Sequence, residues 1–502
     1  MKKFIKRFLI VVALLMGTLL TYLYIPTPYS QNVQKMVGDT SAVFSMRKTA
    51  SNADISQIDI QTIDIQYINQ NGQIATRPIW LHLPKNATQP VPLVFVPHYE
   101  TKADASDLQD YIKQGWAVAS PKDFGQGNYN EVLVSDNLVF NNAALYALRN
   151  NPAIDKQKIV LSGGSAGGYM SLMLASQQMG ITAVHATAPI TNFYFNFYQY
   201  FPEVAKINAF WQPRANIKIM LATLTAQDDQ KRIARIMHAV GETPMPYVGM
   251  SANVFGKNLS HFPDANDVKR WEAFSPVALT HTFNTPIVIN HATSDVLVPI
   301  DQLTRQFTYD TEGETMPKNI STRLNAHNFG VLGKSLEDML PKEQTEIQLI
   351  KVSNPNADSE LPFNADKMFN IVVYDDGKTQ AWGNHTSTGG TGLVNDVAYL
   401  KAMIDKGLKN NEILTNGKLL LLLARYQGNS VQLPAHKNAD ETVYGSLAMY
   451  QQEVVAHLQT WADNHSFDEL DLAVKTAIAS QPEKQAENAK AWNEIAQKLK
   501  LK

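Results

Sequence analysis

Residues 157–180 read "QKIVLSGGSAGGYMSLMLASQQMG", a stretch in which Ser165 stands between two pairs of glycines. The residues before it are apolar and β-branched, and those after it carry a helical pattern that stops at Gly180. Gly163, Ser165 and Gly167 satisfy G-x-S-x-G in the setting that gives the motif its meaning, with a strand before and a helix after. Such a turn holds its serine in a sterically costly backbone conformation, and small neighbours let strand and helix approach. The hydroxyl then stands at the helix N-terminus, whose partial positive charge favours a developing oxyanion. A phosphate-binding loop fits poorly, since no Lys follows as in G-x-x-x-x-G-K-[ST] and G-x-G-x-x-G is absent. Ser165 is the expected nucleophile.

Working outward, strand and helix patterns alternate. "PLVFVPH" (92–98), "WAVASP" (116–121), "KIVLSG" (158–163) and "ITAVHATAPI" (181–190) read as strands, the first wholly apolar as for a strand covered on both faces. "DASDLQDYIKQG" and "SDNLVFNNAALYALRN" read as helices, the second with Ser135 as a candidate N-cap. Before them, Ile58 and Ile60, then Ile63, Ile65 and Tyr67, alternate with polar residues, with a phase shift between the two groups. "NQNGQ" supplies a hairpin turn and "TRPIWLHL" the returning strand. The expected fold class is α/β, a mostly parallel sheet with helices on both faces.

Residues 191–270 break this rhythm with the aromatic-rich "TNFYFNFYQYFPEVAKINAFWQPR". They are expected to form an inserted cap, their aromatics core packing more often than substrate contacts. Alternation resumes at "TPIVINHATSDVLVP" (285–299), and "TEIQLIKVSN" and "FNIVVYDDG" read as later strands. "LVNDVAYLKAMIDKGL" reads as a helix, and the chain is helical from about 442. The expected organisation is an anchor or signal at 1–30, a core at 31–190 and 271–465, the cap at 191–270, and a helical extension at 466–502.

Composition bounds the function. The 502 residues are 44% apolar and 18% charged with a net charge of −2, a globular balance with no basic field for nucleic acid. The chain has no cysteine, which excludes disulfides, thiolate metal sites and cysteine nucleophiles. No H-E-x-x-H or comparable spacing occurs among the 12 histidines, so neither a metal nor another cofactor is expected. "MKKFIKRF" places four cations before an apolar run from Phe8 to Ile25, the pattern of a signal or of an uncleaved signal anchor with its positive end in the cytoplasm. No small-x-small cleavage site follows clearly. The expected body is exported, held to the membrane by this segment or secreted if the segment is removed.

A serine nucleophile needs a base, and the base an orienting carboxylate. Asp295, in the loop after "PIVIN", would be lifted to the same sheet edge as Ser165; a turn-capping role is the competing reading. "NPAIDKQKIVLSGGSAGGYMSLMLA" and "WEAFSPVALTHTFNTPIVINHATSDVLVP" resemble the catalytic domain of the prolyl-oligopeptidase and esterase branch of the α/β-hydrolases. The shared features are D-x-x-[KR]-I before the elbow, then Ser-Pro, a Thr-Pro strand and an H-G-x-x-D-x-x-V-P loop. Ala292 replaces the glycine of that loop. The resemblance covers roughly 90–190 and 271–300 and implies Ser165 as nucleophile and Asp295 as acid. The roughly 60 residues between anchor and core leave no room for a gating propeller of about 40 residues per blade.

The resemblance further implies an oxyanion hole built from two backbone N–H groups, one of them that of Ala166. Relatives carry His-Gly-Gly after the first core strand where this chain has "HYET", so Tyr99 is the second expected donor, by its amide or its hydroxyl. Five histidines follow Asp295. His385 sits in the strand–loop–helix setting the fold requires and is the expected base. His327 and His436 are alternatives, while His457 and His465 fall in helical surroundings. These residues predict a serine hydrolase acting on a small ester, with a short-peptide substrate or a non-catalytic binding role as competing readings.

Overall fold

The computed structural model describes residues 2–25, 52–69, 71–122, 133–200, 212–225, 235, 254–255, 262–293, 295, 297–306, 330–351, 360–375, 385, 394–408, 413–428, 444 and 446–500. His327 and His436 lie outside them.

The hairpin read from "NQNGQ" is β1 (Ile58–Ile68) and β2 (Ile74–Pro84), paired antiparallel with Ile68 opposite Ile74. Gly72 takes φ +74° in the turn, a conformation glycine reaches without cost. Seven further strands follow: β3 (Val91–Phe95), β4 (Ala117–Pro121), β5 (Ile154–Gly164), β6 (Ala183–Thr187), β7 (Ile287–Ala292), β8 (Thr345–Lys351) and β9 (Phe369–Asp375). All nine form one sheet in the order β1-β2-β4-β3-β5-β6-β7-β9-β8. Every pairing from β4 to β8 is parallel, while β2 meets β4 antiparallel. This is the mostly parallel α/β sheet expected.

Alternation along the strands divides the core. Leu93, Phe95, Ile159 and Leu161 face α3 (Asp136–Arg149) and α4 (Ala166–Gln177), while Val94 and Val160 face α2 (Ser106–Lys113) and α7 (Val397–Lys406). Both faces are therefore covered, as a parallel sheet requires. Ser135 takes the N-cap position of α3 but makes no side-chain capping bond there. The sequence between β7 and β9 contributes β8, which pairs outside β9 as an edge strand.

The other described α-helices of seven residues or more are α1 (Lys2–Tyr24), α5 (Gln212–Thr225), α6 (Val268–Phe274), α8 (Asn416–Tyr426), α9 (Leu447–His465), α10 (Phe467–Ala479) and α11 (Gln485–Lys500). Helices α8 to α11 share one apolar cluster containing Leu422, Leu458, Leu470 and Trp492. That cluster holds residues on both sides of 466.

This unit caps the helix that begins beside Ser165. Lys418 and Arg425, both fully buried on α8, donate to the carbonyls of Ala175, Gln177 and Gln178 at the far end of α4. Those carbonyls lack partners within α4, and cations complement the negative end of its dipole. Arg425 also donates to Glu453 Oε2 at 2.8 Å and to the Tyr444 hydroxyl at 2.9 Å.

Burial opposes ionisation of Glu453, but Arg425 beside it prevails and holds the carboxyl at about 2, below the ordinary 4.5. Its stabilisation is complete above pH 4.5 and is lost as pH falls through about 2. Glu453→Gln leaves Arg425 buried without its countercharge and is expected to lower the unfolding free energy by about 3–5 kcal/mol at neutral pH. A urea midpoint equal to that of the wild type would contradict this.

Candidate active site

The turn after β5 has the strained geometry its glycines predict. Ser165 sits at φ +53°, ψ −119°, a conformation costly for any residue with a Cβ. It is fixed from both sides: its N–H donates to the Thr187 carbonyl of β6 at 2.8 Å, and its carbonyl accepts from Tyr169 N–H at 2.9 Å. A Cβ on Gly163 would lie 2.5 Å from the Gly167 carbonyl oxygen, and one on Gly168 would lie 3.0 Å from that of Gly163. One on Gly167 would meet Pro97 and the Tyr99 ring. The side chain of Ser165 takes no part in capping α4, so its hydroxyl is available to other partners.

Three sheet strands deliver three side chains to one place. Ser165 follows β5, Asp295 follows β7 and His385 follows β9, all at the C-terminal edge where parallel sheets carry their sites. His385 Nε2 lies 2.9 Å from Ser165 Oγ, and His385 Nδ1 lies 2.7 Å from Asp295 Oδ2. The pairing of β7 with β9 brings together Asp295 and His385, which stand 90 positions apart in the sequence. Asp295 Oδ1 accepts from the N–H groups of Leu297 and Val298 at 2.9 and 3.0 Å. Burial opposes charge on Asp295, yet His385 and these donors hold its carboxyl below the usual range. All three side chains are buried.

His291 of β7 was not singled out from the sequence. Its Nε2 lies 3.9 Å from Asp295 Oδ2, and burial lowers its pKa. His457 is buried on α9 against Arg149 and Gln178, and His465 stacks on Trp461 with ring centroids 4.2 Å apart.

The two expected oxyanion donors differ. Ala166 is the first residue of α4, where the amide has no intrahelical acceptor. The Tyr99 amide donates instead to the Pro97 carbonyl at 3.0 Å, in a tight turn with His98 at φ +74°. Asn141 Oδ1 accepts from His98 N–H at 3.1 Å and Asn137 Nδ2 lies 3.0 Å from His98 Nδ1, so α3 holds this turn. The Tyr99 ring packs beside Gly167.

Behind the elbow lies a second polar cluster that no local sequence signal announced. Asp396, at the start of α7, accepts from the Tyr111 hydroxyl at 2.6 Å and from Ser162 Oγ at 2.8 Å. His185 Nδ1 lies 2.5 Å from the same carboxylate, and its Nε2 lies 2.7 Å from Asn290 Oδ1. Burial works against the Asp396 charge, but His185 and the hydroxyls keep its pKa low. The cluster ties β5, β6 and β7 together close below Ser165.

The three phenylalanines just after β6 are spent on packing. Phe193, Phe195 and Phe197 are fully buried, Phe193 stacks on Phe197, and both meet Phe255 edge-on. Tyr169 of α4 contacts Phe193 at 4.6 Å between centroids. These side chains bind the segment to the core rather than line a pocket. Gln302 Oε1, beyond Asp295, accepts from the N–H groups of Thr191 and Asn192, linking the start of the segment to the Asp295 loop.

Comparison with known proteins finds a family match around the elbow. Residues 122–243 match the prolyl oligopeptidase family, Peptidase S9, a stretch that contains Ser165 and ends before Asp295 and His385. No curated protein matches the chain. Among solved structures, the Pyrococcus horikoshii acylaminoacyl peptidase is 12% identical, with a TM-score of 0.37, over 73% of this chain and 42% of that one. Porphyromonas gingivalis dipeptidyl peptidase 4 is 14% identical, with a TM-score of 0.31, over 64% of this chain and 33% of that one. Acetyl xylan esterase 1 from Thermoanaerobacterium sp. is 12% identical, with a TM-score of 0.33, over 76% of this chain and 94% of that one. The chain thus spans less than half the length of the peptidases it resembles, and overlaps at such scores carry no functional weight.

The elbow itself can be tested by crowding. Gly163→Ala forces its new methyl against backbone and is expected to destabilise the fold by about 1–3 kcal/mol. Gly17→Ala, with nothing within 4 Å, is the control and should leave the denaturation midpoint in place. Equal midpoints for the two variants would refute the close approach.

Proposed function

We propose that this chain is a serine hydrolase that cleaves a carboxylic ester through an acyl-Ser165 intermediate. The observation that carries the reading is the hydrogen-bonded line Ser165–His385–Asp295 at 2.9 and 2.7 Å. In this mechanism His385 Nε2 takes the Ser165 proton as Oγ attacks the acyl carbon. Asp295 holds the imidazole by Nδ1 and stabilises the positive charge it gains. The proton passes to the departing alkoxide, and water repeats the sequence to release the acid. Ala166 N–H supplies one oxyanion donor. Tyr99 supplies the second, through its hydroxyl, since its amide is already engaged by Pro97.

The ester reading is favoured over the peptide reading by that engaged amide. An alkoxide leaves more readily than an amine, so an ester demands less of an oxyanion site with one prepared backbone donor. The family match over 122–243 favours the second reading, a peptidase of the prolyl oligopeptidase type.

The proposed setting is outside the cytoplasm. Lys3–Tyr24 is long and apolar enough to cross a membrane, and the hydroxyls of Thr18 and Thr21 are turned back onto the helix carbonyls of Leu14 and Gly17. With its basic end inside, this helix would hold the body on the opposite face of the membrane.

A short-chain p-nitrophenyl ester assayed beside an aminoacyl p-nitroanilide separates the readings. Ester turnover is expected to exceed amide turnover, and Ser165→Ala should cost at least about 10³-fold in kcat/KM. Faster anilide cleavage would replace the ester by a peptide substrate, and full activity in Ser165→Ala would remove the nucleophile.

A further inference from the structure

Helix α5 is built inside out for a helix facing water. Arg214, Ala215 and Ala222 are buried and Ile219 packs against the main core, whereas Met220, Leu221 and Leu224 are 53%, 42% and 74% exposed. The spacing of 217, 220, 221 and 224 puts one apolar stripe on the outer side. Besides α1, it is the one helix or strand among the described residues with three exposed large apolar side chains. Elsewhere they stand singly within their element, as at Leu349 and Leu472, which needs no explanation.

The position of α5 says what covers that stripe. Its first turn is fastened to the C-terminal end of α1: the Arg214 guanidinium donates to the Ile25 carbonyl, and the Tyr22 hydroxyl accepts from Arg214 N–H at 3.2 Å. Lys218 lies over the Tyr24 ring, 5.8 Å from its centroid. Tyr22 and Tyr24 close the apolar run of α1, the place where aromatic side chains mark the lipid headgroup level. A helix held at that level, with cationic and small residues turned inward and leucines outward, meets lipid rather than water.

We propose that α5 lies in the bilayer interface on the side of the membrane that holds the body, with Met220, Leu221 and Leu224 inserted among the acyl chains. The occupant of the apolar face is lipid, and the protein is attached by two elements, α1 across the membrane and α5 along its surface. This rests on α1 being the spanning segment, as proposed above, and not on the hydrolase activity.

The absence of cysteine makes the test direct, since any introduced thiol is unique. The full chain carrying Leu15→Cys, Met220→Cys, Leu224→Cys or Asp366→Cys is labelled with an environment-sensitive fluorophore and reconstituted in phosphatidylcholine vesicles containing phosphatidylglycerol. All four positions are exposed, and Asp366 lies just before the N-terminal end of β9. Labels at 220 and 224 are expected to emit to the blue of the label at 366. They should be quenched several-fold more strongly than it by nitroxide lipids bearing the spin label near the carbonyl region. The label at 15 should be quenched best by nitroxide at the acyl-chain end. Iodide-accessible, red-emitting labels at 220 and 224, with 15 still quenched from within the bilayer, would overturn the proposal and leave the anchor standing. A label at 15 that lipid nitroxide does not quench would overturn both. Quenching at 366 equal to that at 224 would also overturn it, as adsorption without orientation.

Discussion

The active edge depends on Ser165 staying at φ +53°, ψ −119°, where an L-residue does not rest without cost. Such a conformation costs on the order of 1–3 kcal/mol and survives only when the surroundings over-determine it. Here they do so in three ways. The Thr187 carbonyl takes the serine amide, the glycines remove every Cβ that would push strand and helix apart, and α4 holds the serine carbonyl from its first turn. With the backbone fixed, the hydroxyl lies 2.9 Å from His385 Nε2.

Two larger assemblies keep the parts of that turn from drifting. Behind it, Asp396 gathers Tyr111, Ser162 and His185, and so joins α2, α7 and strands β5 and β6 through one buried carboxylate. At the far end of α4, Lys418 and Arg425 satisfy the last carbonyls and bind the helix to the C-terminal bundle. Buried charge of this kind is expensive unless every partner is present, and that expense makes the arrangement specific. The helical unit beyond β9 is thus coupled to the helix that begins beside Ser165.

Much of this was legible in the sequence because it is local. The elbow shows as strand, small residues and helix within 24 residues. Asp295 and His385 each follow an apolar run that could only be a buried strand, and this ranked His385 above histidines without one. What escaped depends on contacts between distant segments. Nothing near Asp396 or His185 signals that they meet, and β8 reads as a strand without revealing that it adds to the outside of β9. Pattern shows helices toward the C-terminus but not that α8 to α11 share one core. Tyr99 was read as a donor by its amide or its hydroxyl, and the turn at His98 gives the amide to Pro97. The aromatic run after β6 was open to both core and pocket, and ring contacts with Phe255 and Tyr169 put the described part in the core.

The central claim is that His385, held by Asp295, activates Ser165 and no other serine. Reaction of the full-length protein with a fluorophosphonate, followed by mass mapping of the modified peptide, tests it most directly. The account predicts a single stoichiometric adduct on Ser165, formed at least about 10²-fold more slowly in His385→Ala. An adduct on another serine, or an unchanged rate in His385→Ala, would contradict it.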